Sequence, residues 1–236
     1  MNPNLAFLTP LSVNPWFAAL PLAERNIMLS ASELVRLRPG EMLFRQGDAP
    51  GGLYALVQGV LKMSTLSEDG KEAILVVLEA GTWFGEISLI DNQPRTHDAT
   101  ALGAAEVLVL PRAVFDMLMT GNVFARAITT MLAARVRLLY GIVEDATLRS
   151  TRARIASRLL LLARGDATMS SSIRPRVPVS QESLAMMLGI TRQTLSRELK
   201  LLVQQGTIQL GYGYIDILSE TQLQGLIRSA EIGSPT

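Results

Sequence analysis

Short apolar runs broken by glycine fill the chain from about residue 40 to 110. LYALV, VLKMSTL, EAILVVLE and EVLVLP stand among glycines at 40, 47, 51, 52, 59, 70, 81, 85 and 103. Brief β-rich runs between turn residues predict strands of an antiparallel sandwich or roll, with no room for a helix of about 12 residues or more.

The period then changes. Pro111 suits the first turn of a short helix through Met119, where a missing N–H costs nothing. Asn122 is a candidate cap for a long helix over 123–146, which contains no proline. One apolar row there runs Leu132, Val136, Leu139, Val143 and Ala146; Ile128, Met131, Leu138 and Ile142 lie beside it. A helix of about 24 residues is roughly 36 Å long, and this apolar surface is wider than one domain face requires. Leu132, Val136, Leu139 and Val143 are therefore candidate contacts with a second copy of the helix. A core helix buried within its own domain is the alternative. Gly141 weakens the helix by about 1 kcal/mol against alanine.

Beyond residue 148, Ser150 to Arg154 reads as a hinge, ARIASRLLLLAR (153–164) as a helix and GDATMSSSIRPR as a polar loop. Residues 180–204, SQESLAMMLGITRQTLSRELKLLVQ, then carry a specific signal. Ser180 can cap one helix, Gly189 sits where a tight turn must fall, and Thr191 can cap a second. The pair forms a helix-turn-helix, with Ala185 small at the close approach and Leu184, Leu188, Leu195 and Leu199 as shared core. At about 100° per residue, Arg192, Ser196, Lys200, Gln193 and Arg197 occupy one side, while Leu195, Leu199 and Leu202 cluster opposite. Glu198 falls near the core side, where an apolar residue is expected. Arginine matches guanine and glutamine matches adenine in the major groove. TIQLGYGYIDI (207–217) follows as a hairpin wing about Gly211-Tyr212-Gly213, which places Tyr212 near DNA backbone or idle at the turn.

Charge sharpens the division. The net +1 conceals 11 Lys+Arg against 15 Asp+Glu in residues 1–148, a net of −4, and 11 against 6 in 149–236, a net of +5. A basic C-terminal third points to an acidic partner for that part, nucleic acid foremost. With 48% hydrophobic and 18% charged residues the chain is globular, with room for one large or two ordinary domains. The absence of cysteine excludes disulfides, thiolate-bound zinc and thiolate-held iron–sulfur clusters. A start without a basic n-region, broken by prolines at 10, 15 and 21, and the lack of any apolar run of about 18 residues predict a cytoplasmic protein without signal peptide or membrane span. The tail GSPT is expected to fray.

Order and motif together resemble the CRP/FNR family of bacterial transcription regulators, from about residue 20 to 220. FGEISLIDNQPRT (84–96) and the segment 180–204 carry the resemblance. It implies an α+β chain: an N-terminal antiparallel β-roll, or jelly roll (1–121), a dimerisation helix (122–148) and a winged helix-turn-helix domain (149–236). In cyclic-nucleotide-binding members the matching residues make a phosphate-binding cassette. Carried over, Glu86 accepts from a ribose hydroxyl, Arg95 faces a cyclic phosphate, and Gly85, Ile87, Ser88 and Thr96 complete the cradle. Guanidinium matches phosphate oxygens, a carboxylate only accepts, and glycine permits close backbone approach. The implied effector is cAMP or cGMP. The implied partners are a second copy, a pseudo-palindromic operator and RNA polymerase.

Two positions depart from the pattern. His97 follows Thr96 where a small residue is common, and Leu139-Tyr140 fall where the family's cAMP receptor reads adenine through a polar pair. Leucine cannot hydrogen-bond a base, which leaves Tyr140 as the candidate. Three readings follow: an effector-gated regulator, a regulator with a vestigial pocket, and a nucleotide-gated regulatory subunit without DNA binding. The last has no use for residues 180–204. One histidine cannot build the metal site of a roll-shaped oxygenase, and neither the serine run 170–172 nor any other segment suggests catalysis. Arg192, Gln193 and Arg197 are expected to read bases, and Ser180, Thr191, Ser196 and Lys200 to hold phosphate.

Overall fold

A computed structural model describes residues 2–70, 72–165 and 174–232. The serine run and the GSPT tail lie outside the described residues. A 3-10 turn (Pro3–Phe7) and helices α1 (Leu8–Leu11), α2 (Pro15–Ala18) and α3 (Leu22–Ala31) precede the roll. Its strands are β1 (Glu33–Leu37), β2 (Met42–Phe44), β3 (Gly52–Gln58), β4 (Val60–Leu66), β5 (Glu72–Glu79) and β6 (Trp83–Phe84). After the short helix α4 (Glu86–Asp91) come β7 (Asp98–Ala101) and β8 (Ala105–Pro111). They form two antiparallel sheets, ordered β1-β8-β3-β6 and β2-β7-β4-β5.

Alternation along β3 divides the cores. Tyr54 and Leu56 point between the sheets, towards Phe44, Leu61 and Phe84, while Leu53 and Ala55 point to the helical layer outside. That layer includes the N-terminal helices, for which the sequence reading made no assignment. Pro3 and Pro15 each stand first in a helical turn, after Asn2 and Asn14, whose side chains accept from Asn4 N and Trp16 N. Phe17 stacks on Trp83 at 4.9 Å, and the Asn14 amide donates to the Gly81 carbonyl at 3.1 Å. The segment is thus built into the roll.

The helix α5 (Arg112–Met119) begins after Pro111, which serves as its N-cap. The long helix α6 spans Asn122–Leu148, 27 residues or about 40 Å. Its cap is Gly121 rather than the expected Asn122, and it outlasts the expected 123–146 at the C-terminal end. Phe124, Ile128 and Met131 dock its first half on the roll, with Leu132 packed beside them. Further on, Val136, Leu139, Tyr140 and Val143 are exposed.

The hinge is shorter than expected. Only Arg149 and Ser150 leave the helical path, and Ser150 caps α7 (Thr151–Ala163), its hydroxyl accepting from Ala153 N. The C-terminal domain continues with β9 (Arg176–Val177), α8 (Gln181–Leu188), α9 (Arg192–Gln204), β10 (Ile208–Gly211), β11 (Tyr214–Ile217) and α10 (Glu220–Ile232). Leu184, Ala185, Leu188, Leu195 and Leu199 share one core with α7 and the hairpin. The wing turn is Tyr212-Gly213, and β9, too short to signal itself, adds a third strand. This domain rests on the roll: α8 packs on β5, Arg158 Nη2 donates to the Leu75 carbonyl at 3.1 Å, and Arg174 pairs with Glu79. Among the described residues no helix is long and apolar enough to cross a membrane.

Candidate functional site: a basic recognition face and an inter-domain cavity

Local capping sets the attitude of α8 and α9. Ser180 Oγ accepts from Ser183 N at 3.0 Å and Thr191 Oγ1 from Thr194 N at 3.1 Å. Between them Gly189, at φ 64°, turns the chain in the left-handed region. Both cap hydroxyls also bond a hydroxyl three residues on, so Ser180 and Thr191 hold the helices in place before they hold anything else.

With Leu195, Leu199 and Leu202 buried beneath, α9 turns Arg192, Gln193, Ser196, Arg197 and Lys200 into one shallow concavity. Among the described residues, Arg192, Arg197 and Lys200 have no acidic partner. Glu198, the expected misfit, bonds Arg152 Nε on α7 at 2.8 Å. The one acid of the helix is thereby held off the basic face. Beside this face the wing presents a fully exposed Tyr212. Arg176 lies over the Tyr214 ring at 4.0 Å and grips Asp216 at 2.7 and 2.9 Å.

The second site begins at Gly85, which takes φ 93° to lead from β6 into α4. A Cβ there would stand 2.8 Å from the Tyr54 ring and 3.0 Å from Arg95 Nη1, so only glycine lets the guanidinium lie as it does. Arg95 is 3% exposed. It donates from Nη1 to the Gly85 carbonyl at 2.8 Å and from Nη2 to the Gly52 carbonyl at 2.9 Å, stacked between Phe44 and Tyr54. Backbone carbonyls thus take both terminal nitrogens of the guanidinium expected to face a phosphate, and Nε is buried without a partner.

Glu86 is 1% exposed, with Oε1 paired to Arg135 of α6 and Oε2 buried without a partner. Arg135 also donates to the Trp83 carbonyl. Ser88 Oγ donates to the Pro94 carbonyl at 3.3 Å, and Thr96 Oγ1 lies 2.8 Å from His97 Nδ1. Burial pushes the His97 imidazole below its ordinary value, against the opposing pull of Asp98.

These groups line one end of a cavity of about 600 Å³. Met63 and Ile74 of the roll, Leu138, Leu139 and Ile142 of α6, and Leu161, Met187 and Leu188 of the C-terminal domain form its other walls. It takes in six of the seven residues expected around an effector. The exception is Tyr140, 71% exposed and turned away from the cavity because it stands on the outer face of α6.

Comparison with known proteins matches both halves of the chain. The cyclic nucleotide-binding domain model matches residues 34–122, and the Crp-like helix-turn-helix domain model matches 153–226. The cyclic AMP receptor protein of Thermus thermophilus is 28% identical over 212 residues, 89% of this chain and 95% of its own length. The chain belongs to the CRP/FNR family of transcription regulators. A CRP-like cAMP-activated global transcriptional regulator of Mycobacterium tuberculosis is 27% identical over 173 residues, covering 72% of this chain and 77% of the relative. The catabolite activator protein of Thermus thermophilus superposes with a TM-score of 0.52 at 28% identity, over 92% of this chain and 99% of that one. FixK2 from Bradyrhizobium japonicum shares the fold, with a TM-score of 0.73 at 22% identity over 83% and 96%. As a CRP-like regulator the chain stands among transcription factors, not enzymes.

Arg135 is the residue that sequence reasoning missed in this CRP/FNR chain. It fills the gap in the second apolar row of α6, between Met131 and Leu138, and so puts a cation on the side that faces the roll. The signal was present as an arginine flanked by Leu132 and Leu138 on the inward side of the helix.

Proposed function

We propose that the chain acts as a homodimer whose two α9 helices enter successive major grooves of a pseudo-palindromic operator, under the control of a small effector held in the cavity. The observation that carries this reading is the face formed by the exposed Arg192, Gln193, Arg197 and Lys200 with the half-buried Ser196 among them, its neighbouring acid tied to Arg152. Arg192, Gln193 and Arg197 read base edges. Ser196 and Lys200 hold phosphate, while the Ser180 and Thr191 caps orient the helices and present their ends to the backbone.

Dimerisation rests on the exposed apolar row Val136, Leu139 and Val143, with Leu132 at its half-buried start. The effector lies between the cassette and α6, and the family match makes cAMP or cGMP its first candidate. A bound molecule that touches roll, α6 and the DNA-binding domain shifts the population of their arrangements, provided it favours one of them.

The DNA half is tested by two substitutions. Arg192→Ala should cost about 1–3 kcal/mol at one operator position, with little effect on unrelated DNA, whereas Lys200→Ala should weaken all sequences alike and reduce the salt dependence of binding. Fluorescence anisotropy on matched operator variants separates them. Equal loss on every sequence for Arg192→Ala contradicts its role.

A further inference from the structure

His97 is the one histidine of the chain, and it stands in the cavity wall just before β7. Alternation turns it to the side of Ala99, which packs between the sheets, and turns Asp98 to the other, where its carboxylate accepts from Gln46 N at 2.8 Å. The Thr96 hydroxyl, 2.8 Å from His97 Nδ1, lines the same cavity. With the ring neutral and its proton on Nε2, Nδ1 accepts from that hydroxyl, and Thr96 shows the cavity lone pairs only. A protonated ring must donate from Nδ1, which frees the Thr96 proton to turn outward. One proton on His97 thus adds a positive charge to the wall and changes its neighbour from acceptor to donor.

The surrounding charges decide what such a wall accepts. Arg95 and Asp98 flank the ring with one charge of each sign, and across the cavity Arg135 of α6 answers Glu86 of α4. Lys62 and Glu72 pair with each other on the Asp98 side of the sheet. Farther along, Asp145 pairs with Arg149, while Arg154 and Arg158 of α7 donate to the Leu188 and Leu75 carbonyls. From the strands the cavity meets the apolar Phe44, Met63 and Ile74. Burial holds the His97 ring below its ordinary titration range, against the pull of Asp98. A negative charge brought into the cavity opposes that effect, because it stabilises the imidazolium that desolvation penalises.

We propose that His97 makes occupancy of the cavity proton-coupled: an anionic effector binds together with one proton, which the His97 ring takes up. The proposal rests on the effector reading above and adds the effector's ionic class and its dependence on pH. Linkage fixes the direction. The bound anion raises the pH at which His97 titrates, so affinity gains as pH falls through the bound-state value and levels off below the lower, free-state value. Among the side chains of the wall only an imidazole changes charge near neutrality, so the regulator senses acidity alongside its effector.

A single histidine makes the test direct. Carbon-13 NMR of the His97 ring in the full-length protein, titrated from about pH 5.5 to 8.5 with and without saturating cAMP, should show the nucleotide moving the titration to higher pH. Calorimetry should give a cAMP affinity about fivefold or more higher at about pH 6 than at about pH 8. In His97→Gln, which keeps a hydrogen-bond partner for Thr96 and takes up no proton, the two affinities should differ by less than about twofold. The same measurements with cGMP serve as a second probe. A cyclic nucleotide that binds without raising the His97 titration, or whose pH dependence persists in His97→Gln, overturns the proton coupling and leaves the effector reading in place. No binding of either nucleotide across this pH range overturns both.

Discussion

Arg135→Ala should lower the unfolding free energy by about 3–5 kcal/mol, because it leaves the Glu86 carboxylate charged, 1% exposed and without its cation. The size of the effect comes from desolvation: an exposed pair of the same geometry contributes about 0–1 kcal/mol. Replacing both partners, with Glu86→Met added to Arg135→Met, removes the stranded charge and should recover most of the loss. Urea unfolding of the three proteins measures the difference. A loss below about 1 kcal/mol in the single variant means that the carboxylate reaches water or another cation, and the cassette described here is wrong.

Val136→Glu combined with Val143→Glu should turn the protein into a monomer near 25.6 kDa and weaken operator binding by about a hundredfold or more. Both valines are exposed in the single chain, so the carboxylates cost little there, but two-fold symmetry sets four of them against each other across one helix pair. Each recognition helix keeps its own contacts, while the second binding event ceases to be intramolecular. Sedimentation and anisotropy on the same samples read both effects. A double variant that stays dimeric, with unchanged DNA affinity, removes α6 from the interface.

What the sequence made legible was mostly local. Ser180, Gly189 and Thr191 announce the helix-turn-helix because caps and left-handed glycines act within three or four residues. The strand runs of the roll are equally readable, since alternation and glycine turns need no distant partner. The functional pairings are another matter. Glu86 meets Arg135 across 49 residues and Glu198 meets Arg152 across 46, and nothing in local periodicity encodes either. The same limit explains Arg95: its motif is plain, but its carbonyl partners at Gly52 and Gly85 depend on how β3 and β6 pair. Tyr140 was assigned by counting along the chain, and helix rotation set it on the other face. The N-terminal helices were readable in part, since Asn-Pro at residues 2–3 and 14–15 is a cap signal, but Pro3 drew no notice and Pro15 only as an argument against a signal peptide.

The most direct test of the central claim is selection of random double-stranded DNA by the purified full-length protein, followed by sequencing of the bound pool. The face on α9, presented twice by a symmetric dimer, predicts a consensus of two inverted half-sites whose centres lie about 10–10.5 base pairs apart. A pool with no enriched sequence, or with a single half-site lacking its inverted copy, contradicts it.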